Sequence, residues 1–176
     1  MSKTAKMHKS QSPQKLGFGI FMCSTSRHQK FMKGELVTDS SGDLIESLLK
    51  RAGHSLLFRK VIPDHKGEIE KSVCYALAFD SLDAVIFCGG TGITPSDVTI
   101  ETVSAFLEKT LPGFGEIFRF LSFDKIGSAA ILSRAIAGTA KRKVFFCIPG
   151  SPDAVRLCVE RLILPEAGHI LKHALE

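Results

Sequence analysis

The sequence predicts a three-layer α/β/α domain built around a mostly parallel β-sheet. Short apolar runs bounded by turn residues alternate along the chain with longer segments whose apolar residues recur at helical spacing. Strands that alternate with helices form parallel sheets covered on both faces, and helices with a single apolar stripe fit such layers. We expect residues 16–176 to form this domain, after a disordered basic tail at residues 1–15.

The first third of the domain predicts two strands and one helix. Residues 16–23 form an apolar run that predicts the first strand, and residues 28–40 are polar and predict a loop. Residues 44–52 place their apolar side chains on one helical face, and the glycine that follows is a helix stop. Residues 54–62 predict the second strand, which a Pro-Asp-His turn ends.

The middle of the chain predicts three helices around a buried strand. A helix over residues 66–81 precedes residues 84–88, an apolar run too short for a helix. Gly89-Gly90-Thr91-Gly92 follows this strand directly. A helix is predicted over residues 98–109 and a short amphipathic one over residues 116–123, because a Leu-Pro-Gly-Phe-Gly segment separates them.

The last third predicts a pair of short strands, one firm strand and two helices. Residues 129–132 and 135–138 flank Ser133-Arg134 and favour short strands. Residues 143–148 are the last clear apolar run, and a Pro-Gly-Ser-Pro turn leads from it into a helix. Pro165 is expected to separate that helix from a final one.

The segment Gly89-Gly90-Thr91-Gly92 is the strongest candidate for a binding site. Three glycines in four positions let backbone N–H groups gather around an anion at a strand end, where open α/β sheets bind ligands. The segment is not a P-loop, because no lysine follows, and it does not match GxGxxG. A tight strand-to-helix connection is the alternative. Asp97, five residues further on, is a candidate metal ligand or the N-cap of the next helix.

The predicted strand ends gather groups that suit phosphate binding. These backbone donors, hydroxyls, cations and carboxylates belong to Ser24, Ser26, Arg27, Asp64, Gly89, Gly90, Thr91, Gly92, Asp97, Ser133, Arg134 and Ser151. Mg²⁺ held by one or two carboxylates and by phosphate oxygens fits this set. Phosphoryl-type transfer requires positioning and charge neutralisation rather than a covalent protein group. The alternatives are a helix N-cap at Asp64 and a hydroxyl-rich turn at residues 24–27.

Composition argues against several other classes of function. The net charge of +5 falls to +1 without the four lysines of residues 1–15, and one tyrosine with no tryptophan argues against a nucleic-acid surface. No apolar run approaches the ~18 residues of a membrane span, and no signal peptide is visible, so we expect a cytoplasmic protein. Five cysteines without metal-ligand spacing predict reduced thiols. A metal or redox role for Cys23, Cys88 and Cys147 is the alternative.

Four linked segments follow one another along the chain: GGTGITPSDVTIE, LPGFGEIFRFLSF, AILSRAIAG and IPGSPDAV. In this order and spacing they resemble the molybdenum cofactor biosynthesis family. That family includes the molybdopterin adenylyltransferases of the MogA type and the MoaB proteins. The stretch GEIFRFLSFDKIG is most similar to the MoaB branch. The resemblance covers roughly residues 16–175, which is a domain-sized unit.

The resemblance implies an activity and its substrates. Adenylyltransferases of this family transfer the adenylyl group of ATP to the terminal phosphate of molybdopterin and release pyrophosphate. By their place in the motifs, Asp64 and Asp97 would be catalytic and would hold Mg²⁺, while the glycine segment would cradle the phosphates. The pterin or nucleotide pocket would be lined by Ser133, Arg134, Pro149, Gly150 and Ser151. A molybdopterin-binding or assembly protein without the reaction is the alternative.

The resemblance also implies a homotrimer or homohexamer. Four phenylalanines lie close together in the sequence: Phe114, Phe118, Phe120 and Phe123. This number is larger than one helix face needs for its own core. Exposed aromatic side chains mark an interface, so this segment is a candidate for subunit contact. Packing of all four inside the domain is the alternative.

Overall fold

The computed structural model describes residues 12–176, which form a six-stranded sheet between two layers of helices. The strands are β1 (Gly17–Cys23), β2 (Ser55–Ile62), β3 (Ala84–Cys88), β4 (Lys109–Thr110), β5 (Ile136–Ala140) and β6 (Lys143–Ile148). The α-helices are α1 (Thr25–Met32), α2 (Ser40–Arg51), α3 (Lys66–Ala78), α4 (Thr99–Ser104), α5 (Pro112–Ile126), α6 (Pro152–Cys158) and α7 (Leu164–Leu175). A 3₁₀-helix (Gly127–Leu132) follows α5, and a π-helical segment (Val159–Ile163) connects α6 with α7.

The strands lie in the order β2-β1-β3-β6-β5-β4. β1, β2, β3 and β6 are parallel, whereas β5 pairs antiparallel with both β6 and β4. In this register Cys23 lies opposite Ile62, and Cys88 lies opposite Ile148. The carboxyl ends of the four parallel strands therefore share one edge of the sheet, as the sequence predicts, and ligands of open α/β sheets bind at this edge.

Two apolar clusters fill the space between the sheet and its helices. On one face, Ile86 and its neighbours pack against α2, α5, α6 and α7. On the other face, Val85 and Phe87 pack against α3 and α4. Every residue of β3 is buried, because this central strand is covered on both faces. The arrangement confirms the predicted three-layer α/β/α domain.

α1 occupies part of the segment that the sequence predicts to be a loop, residues 28–40. The side-chain oxygen of Ser24 accepts a hydrogen bond from the Arg27 amide at 3.4 Å and so caps the helix. None of the residues of α1 is buried, so the helix lacks the apolar stripe by which sequence periodicity detects a helix. The loop prediction is wrong for residues 28–32 and correct for the segment that leads to α2.

The helix predicted over residues 98–109 ends at Ser104 as α4. Beyond it the Glu108 amide donates to the Thr139 carbonyl at 2.9 Å, and the backbone pairs with β5 to form the edge strand β4. This pairing ends the helix early, because the same amides cannot serve both structures. α5 in turn begins at Pro112, four residues before its predicted start. Proline is tolerated in a first helical turn, where the missing N–H has no partner to lose.

Two predictions in the last third of the chain are also wrong. Residues 129–132 belong to the 3₁₀-helix, and β5 pairs instead with β6 across a two-residue turn. Lys141 and Arg142 in this turn both have positive φ, which matches the right-handed twist of the two strands. Pro165 does not interrupt its helix. The π-helical segment just before it shifts the hydrogen-bond register where proline lacks an amide donor.

The described part of the predicted tail packs against α7. Ser12 is buried, and the carbonyl oxygen of Pro13 lies so close to Gly168 that a Cβ there would overlap it. Residues 1–11 of the predicted tail lie outside the described residues. Among residues 12–176, no helix is long and apolar enough to cross a membrane.

Candidate functional site

A cavity of about 490 Å³ opens at the carboxyl edge of the parallel strands. The predicted site residues that line it are Gly89, Gly90, Thr91, Gly92, Asp97, Ser133, Arg134, Pro149, Gly150 and Ser151. The predicted residues at the same edge that do not line it are Ser24, Ser26, Arg27 and Asp64. A volume of several hundred Å³ is typical of small-molecule sites, so the cavity is the candidate functional site.

The glycine loop, Gly89–Gly92, follows β3 in a conformation that favours glycine. Gly89 and Gly90 have φ values of +106° and +61°, in the left-handed region. A Cβ on Gly90 would lie 2.6 Å from Asp64 Oδ1, so the loop needs glycine there in order to approach this carboxylate. The Gly89 amide donates to the Ile148 carbonyl at 3.0 Å. The Gly89 amide is therefore not available to an anion in the cavity.

Asp64 lies directly behind the glycine loop and is half-buried. Its Oδ2 accepts the Thr25 amide at 3.3 Å, and its own amide donates to Thr25 Oγ1 at 3.0 Å. Its Oδ1 is buried and has no hydrogen-bond partner within the described residues, and the same is true of Thr99 Oγ1 beside it. A buried carboxylate oxygen without a partner costs free energy, which an ion or ligand would recover. His65, not Asp64, is the N-cap of α3.

Asp97 closes the turn between the glycine loop and α4. Its Oδ2 accepts the Thr94 amide at 2.9 Å and the Thr94 hydroxyl at 2.7 Å. Val98 is the N-cap residue of α4, and no side chain caps that helix. The alternative in which Asp97 caps α4 is therefore wrong, because its carboxylate accepts hydrogen bonds from Thr94, which precedes it, and not from the amides of α4.

The surroundings of Asp64 and Asp97 shift their pKa values in opposite directions. Burial raises the pKa of the Asp64 carboxyl, and the charge of Asp97 raises it further. The hydrogen bond from the Thr94 hydroxyl lowers the pKa of Asp97, and the charge of Arg134 acts in the same direction. The two carboxylates thus interact electrostatically, and Asp97 holds its negative charge more firmly.

Arg134 fixes the glycine loop to α4. Its Nε donates to the Thr91 carbonyl at 2.9 Å, and its Nη1 donates to Glu101 Oε1 at 2.6 Å. The side chain is also part of the cavity wall and is partly exposed, so it adds positive charge there. Arg134 therefore positions the loop in addition to being a candidate for phosphate binding.

The Pro149–Ser151 turn forms another part of the cavity wall. Ser151 Oγ accepts the Ala154 amide at 3.4 Å and caps α6. The Ser41 hydroxyl donates to the Gly150 carbonyl at 2.7 Å, which fixes the turn to α2. Both contacts hold the backbone of this wall in place.

Ser24, Ser26 and Arg27 serve the local structure at the start of α1. The hydroxyls of Ser24 and Ser26 lie 3.4 Å apart, and Arg27 Nη1 lies 3.4 Å from Oδ1 of the buried Asp39. Arg59 also pairs with Asp39. These contacts agree with the hydroxyl-rich turn that the sequence left open. A role of the three residues in phosphate binding stays a prediction.

The sequence analysis did not predict that α5 contributes a part of the cavity wall. Phe118, Ser122 and Lys125 line the cavity from positions i, i+4 and i+7 of this helix. Their spacing is visible in the sequence, but the helix face that covers the sheet edge depends on tertiary packing. The other lining residues that the sequence analysis did not name as site residues are Ile126, Leu132, Asp153, Ala154 and Leu157.

Asp64 and Asp97 are suited to holding one divalent cation between protein and phosphate. No group of three or more histidine, cysteine or acidic side chains that could hold a metal occurs within residues 12–176. Mg²⁺ needs only one or two carboxylates when phosphate and water oxygens complete its coordination. The unpartnered Oδ1 of Asp64 supplies an acceptor of the right kind, so the site fits Mg²⁺.

The cysteines near the strand ends are poorly suited to metal binding or redox chemistry. Burial raises the pKa of the Cys23 thiol to about 12 and raises those of Cys88 and Cys147 well above the usual value. Because the thiolate is the reactive and metal-binding form, a raised pKa disfavours both roles for these thiols. All five cysteines are free, in agreement with the prediction of reduced thiols.

Comparison with known proteins identifies the family of the chain. A model of a probable molybdopterin binding domain matches residues 19–169. The molybdenum cofactor biosynthesis protein B of Bacillus cereus is 47% identical over 164 residues, which cover 93% of each chain. The probable molybdopterin adenylyltransferase of Methanocaldococcus jannaschii is 38% identical over 159 residues, which cover 90% of this chain and 94% of that protein.

Solved structures give the same result. A crystal structure of molybdenum cofactor biosynthesis protein B has a TM-score of 0.85 at 45% identity and covers 94% of this chain and 99% of its own. The tungsten cofactor synthesizing protein MoaB from Pyrococcus furiosus has a TM-score of 0.81 at 38% identity, over 94% and 100% of the two chains. With a family match over most of its length and relatives at these identities, this chain belongs to the probable molybdopterin binding domain family that includes the MoaB proteins.

Proposed function

We propose that this protein acts in molybdenum cofactor biosynthesis and transfers the adenylyl group of ATP to the terminal phosphate of molybdopterin, with release of pyrophosphate. The names of its relatives support this pathway, and one of them is a probable molybdopterin adenylyltransferase. The observation that carries the proposal is the unpartnered, buried Oδ1 of Asp64, which faces Gly90 beside the second carboxylate, Asp97.

The charges of the cavity wall suit a polyphosphate that carries a bound cation, because the wall contains both cationic side chains and the carboxylates of Asp97 and Asp153. Lys125 and Arg134 place cationic groups in this wall, which the glycine loop also lines. Asp64 and Asp97 alone would repel phosphate, so a cation between them and the phosphates is required. These two carboxylates would hold Mg²⁺, which neutralises phosphate charge when bound.

The cavity also has an apolar side that suits a flat ring. Phe118, Ile126, Leu132 and Leu157 contribute it, from α5, the 3₁₀-helix and α6. Small-molecule sites combine such apolar walls with a few convergent polar groups. Both proposed substrates combine a heterocyclic ring system with phosphate, the pterin in one and adenine in the other, and this combination suits such a wall.

The reaction moves one phosphoryl centre between two oxygens. An oxygen of the terminal phosphate of molybdopterin attacks the α-phosphorus of ATP, and the bond from that phosphorus to the β-phosphate oxygen breaks. Pyrophosphate leaves, and the adenylyl group remains on molybdopterin. The protein needs no covalent intermediate, because orienting the phosphates and neutralising their charge lowers the barrier. The glycine loop and Arg134 orient the phosphates, and the cationic side chains of the cavity wall neutralise the charge of the phosphates.

The proposal is tested by measuring product and pyrophosphate together. We expect the protein, given molybdopterin and Mg-ATP, to form adenylyl-molybdopterin and pyrophosphate in equal amounts. No pyrophosphate should appear when molybdopterin is left out or when α,β-methylene-ATP replaces ATP, since that analogue cannot break at the α–β bridge. Binding of molybdopterin without pyrophosphate release would instead support the alternative, a binding or assembly protein of the same fold.

A further inference from the structure

Two histidines on α7 face each other outside the cavity. His169 Nε2 and His173 Nε2 lie 3.2 Å apart, one helical turn from each other. On the far side of each ring, His169 Nδ1 lies 3.1 Å from Glu166 Oε2, and His173 Nδ1 lies 3.1 Å from Glu176 Oε2. The four side chains form a row with a carboxylate at each end. None of them lines the cavity.

The hydrogen-bond roles within this row place two acceptor nitrogens side by side at its centre. An ionised carboxylate only accepts hydrogen bonds, so both Nδ1 atoms must donate to their glutamates. In a neutral imidazole, the nitrogen that does not carry the proton is an acceptor. The two Nε2 atoms would then be acceptors that face each other at 3.2 Å. A proton or a metal ion can bridge two nitrogens in this arrangement.

The geometry of the pair fits a metal ion. Two Zn–N bonds of about 2.05 Å to nitrogens 3.2 Å apart enclose an angle of about 103°, close to the tetrahedral value. Histidines that bind a metal commonly donate their other ring N–H to a carboxylate, and Glu166 and Glu176 are placed to accept such bonds. An acceptor at Nδ1 fixes the tautomer and makes Nε2 a better ligand. Histidines at positions i and i+4 of a helix point to the same side, so α7 itself sets this geometry.

We propose that His169 and His173 form a binding site for a divalent transition-metal ion of the Zn²⁺ class, oriented by Glu166 and Glu176. Imidazole nitrogens suit such ions, whereas Mg²⁺ requires oxygen ligands. The side chains are partly exposed, with relative accessibilities of 26% for His169 and 50% for His173, so an ion reaches them from solvent. Two histidines leave further coordination positions to water or to a ligand from outside the site.

The test is a Zn²⁺ titration in which isothermal titration calorimetry measures binding. It uses the full chain with excess Mg²⁺ to occupy Asp64 and Asp97. Cys74 is replaced by serine throughout, because its exposed thiol is another possible ligand for zinc. We expect one saturable ion per chain, bound at least tenfold more weakly by His169→Gln and by His173→Gln. The double variant should be little weaker than either single variant, since one imidazole alone does not chelate. Glu166→Ala should weaken binding by about tenfold.

A control and a second readout locate the ion. His28→Gln on α1 changes a histidine outside the row and should leave Zn²⁺ affinity unchanged. In proton NMR spectra, Zn²⁺ should shift the ring signals of His169 and His173, and those of His54 and His65 should stay in place. These ring signals also show whether Zn²⁺ still binds to a variant that has a lower melting temperature. Equal affinity in all variants, or ring signals that respond to acid but not to Zn²⁺, would overturn the proposal and leave a pair that only shares a proton.

Discussion

The buried hydroxyl of Ser41 donates a 2.7 Å hydrogen bond to the carbonyl oxygen of Gly150, which lies 109 residues further along the chain. Ser41 is in the first turn of α2, and Gly150 is in the cavity wall. The same turn of α2 begins at Asp39, which pairs with Arg59 of β2. The Ser41–Gly150 bond therefore connects the cavity wall, which follows β6, through α2 to β2. These two strands are the outermost of the four parallel strands.

Replacing Ser41 by alanine should loosen this wall. The Gly150 carbonyl would lose its donor, so we expect the free energy of unfolding in urea to fall by about 1–3 kcal/mol. The Kd for molybdopterin should rise, because the turn is no longer held. Ser47→Ala on the exposed side of the same helix is the matched control and should stay within about 0.5 kcal/mol of the wild type. Equal behaviour of the two variants would show that the bond does not support the site.

The carboxyl of Asp64 should titrate above the usual range for aspartate. Burial and the charge of Asp97 both disfavour its ionised form. A ¹³C NMR titration of the carboxyl carbon measures this pKa directly. Asp97→Asn removes a neighbouring negative charge, so it should move the Asp64 midpoint to lower pH. A midpoint at or below the ordinary aspartate value, or no response to Asp97→Asn, would contradict the proximity of the two carboxylates.

Asp97→Asn should remove catalysis without unfolding the protein. The amide oxygen of asparagine can still accept from Thr94, so the turn survives. A neutral amide cannot neutralise a cation beside polyphosphate, so we expect kcat to fall at least ~100-fold, about 2.7 kcal/mol of transition-state stabilisation. Asp124→Asn, an exposed carboxylate on α5, should retain turnover. Turnover within a few-fold of the wild type would make Asp97 a purely structural residue.

The phenylalanines of α5 divide between the core and the surface. Phe118 is 1% exposed, whereas Phe120 and Phe123 are 69% and 59% exposed. We expect a homo-oligomer that uses these exposed rings, together with the 80% exposed Ile131 nearby in the chain. Light scattering should show that Phe120→Glu shifts the assembly to monomers while the fold survives. Phe118→Ala should instead lower the free energy of unfolding by about 3–5 kcal/mol. A monomeric wild type at micromolar concentration would contradict the assembly.

The parallel strands and the glycine loop could be predicted because their signals are local. The apolar run that ends at Cys88 is followed directly by the glycines, and the apolar run before Asp64 places this residue at a strand end in the same way. Elements without a local signal were missed. α1 has no apolar stripe, and the helix around Pro165 continues because a π-helical segment precedes it.

The cavity itself could be predicted only in part. The motifs contain the residues of the loop and of the Pro149–Ser151 turn, but Lys125 enters the cavity because α5 packs across the sheet edge. Such packing depends on contacts far apart in the sequence. The unpartnered oxygen of Asp64 is also a tertiary property, since burial and hydrogen bonding decide it and residue type does not.

The proposed function requires that Asp64 serves catalysis rather than the fold. The most direct measurement compares pyrophosphate release by the wild type and Asp64→Asn at saturating molybdopterin and Mg-ATP. We predict a loss of at least ~100-fold in kcat, with the Kd for molybdopterin within about threefold and a melting temperature equal or higher, because the variant no longer buries an unpartnered carboxylate oxygen. A folded Asp64→Asn protein that releases pyrophosphate within a few-fold of the wild-type rate would contradict the account.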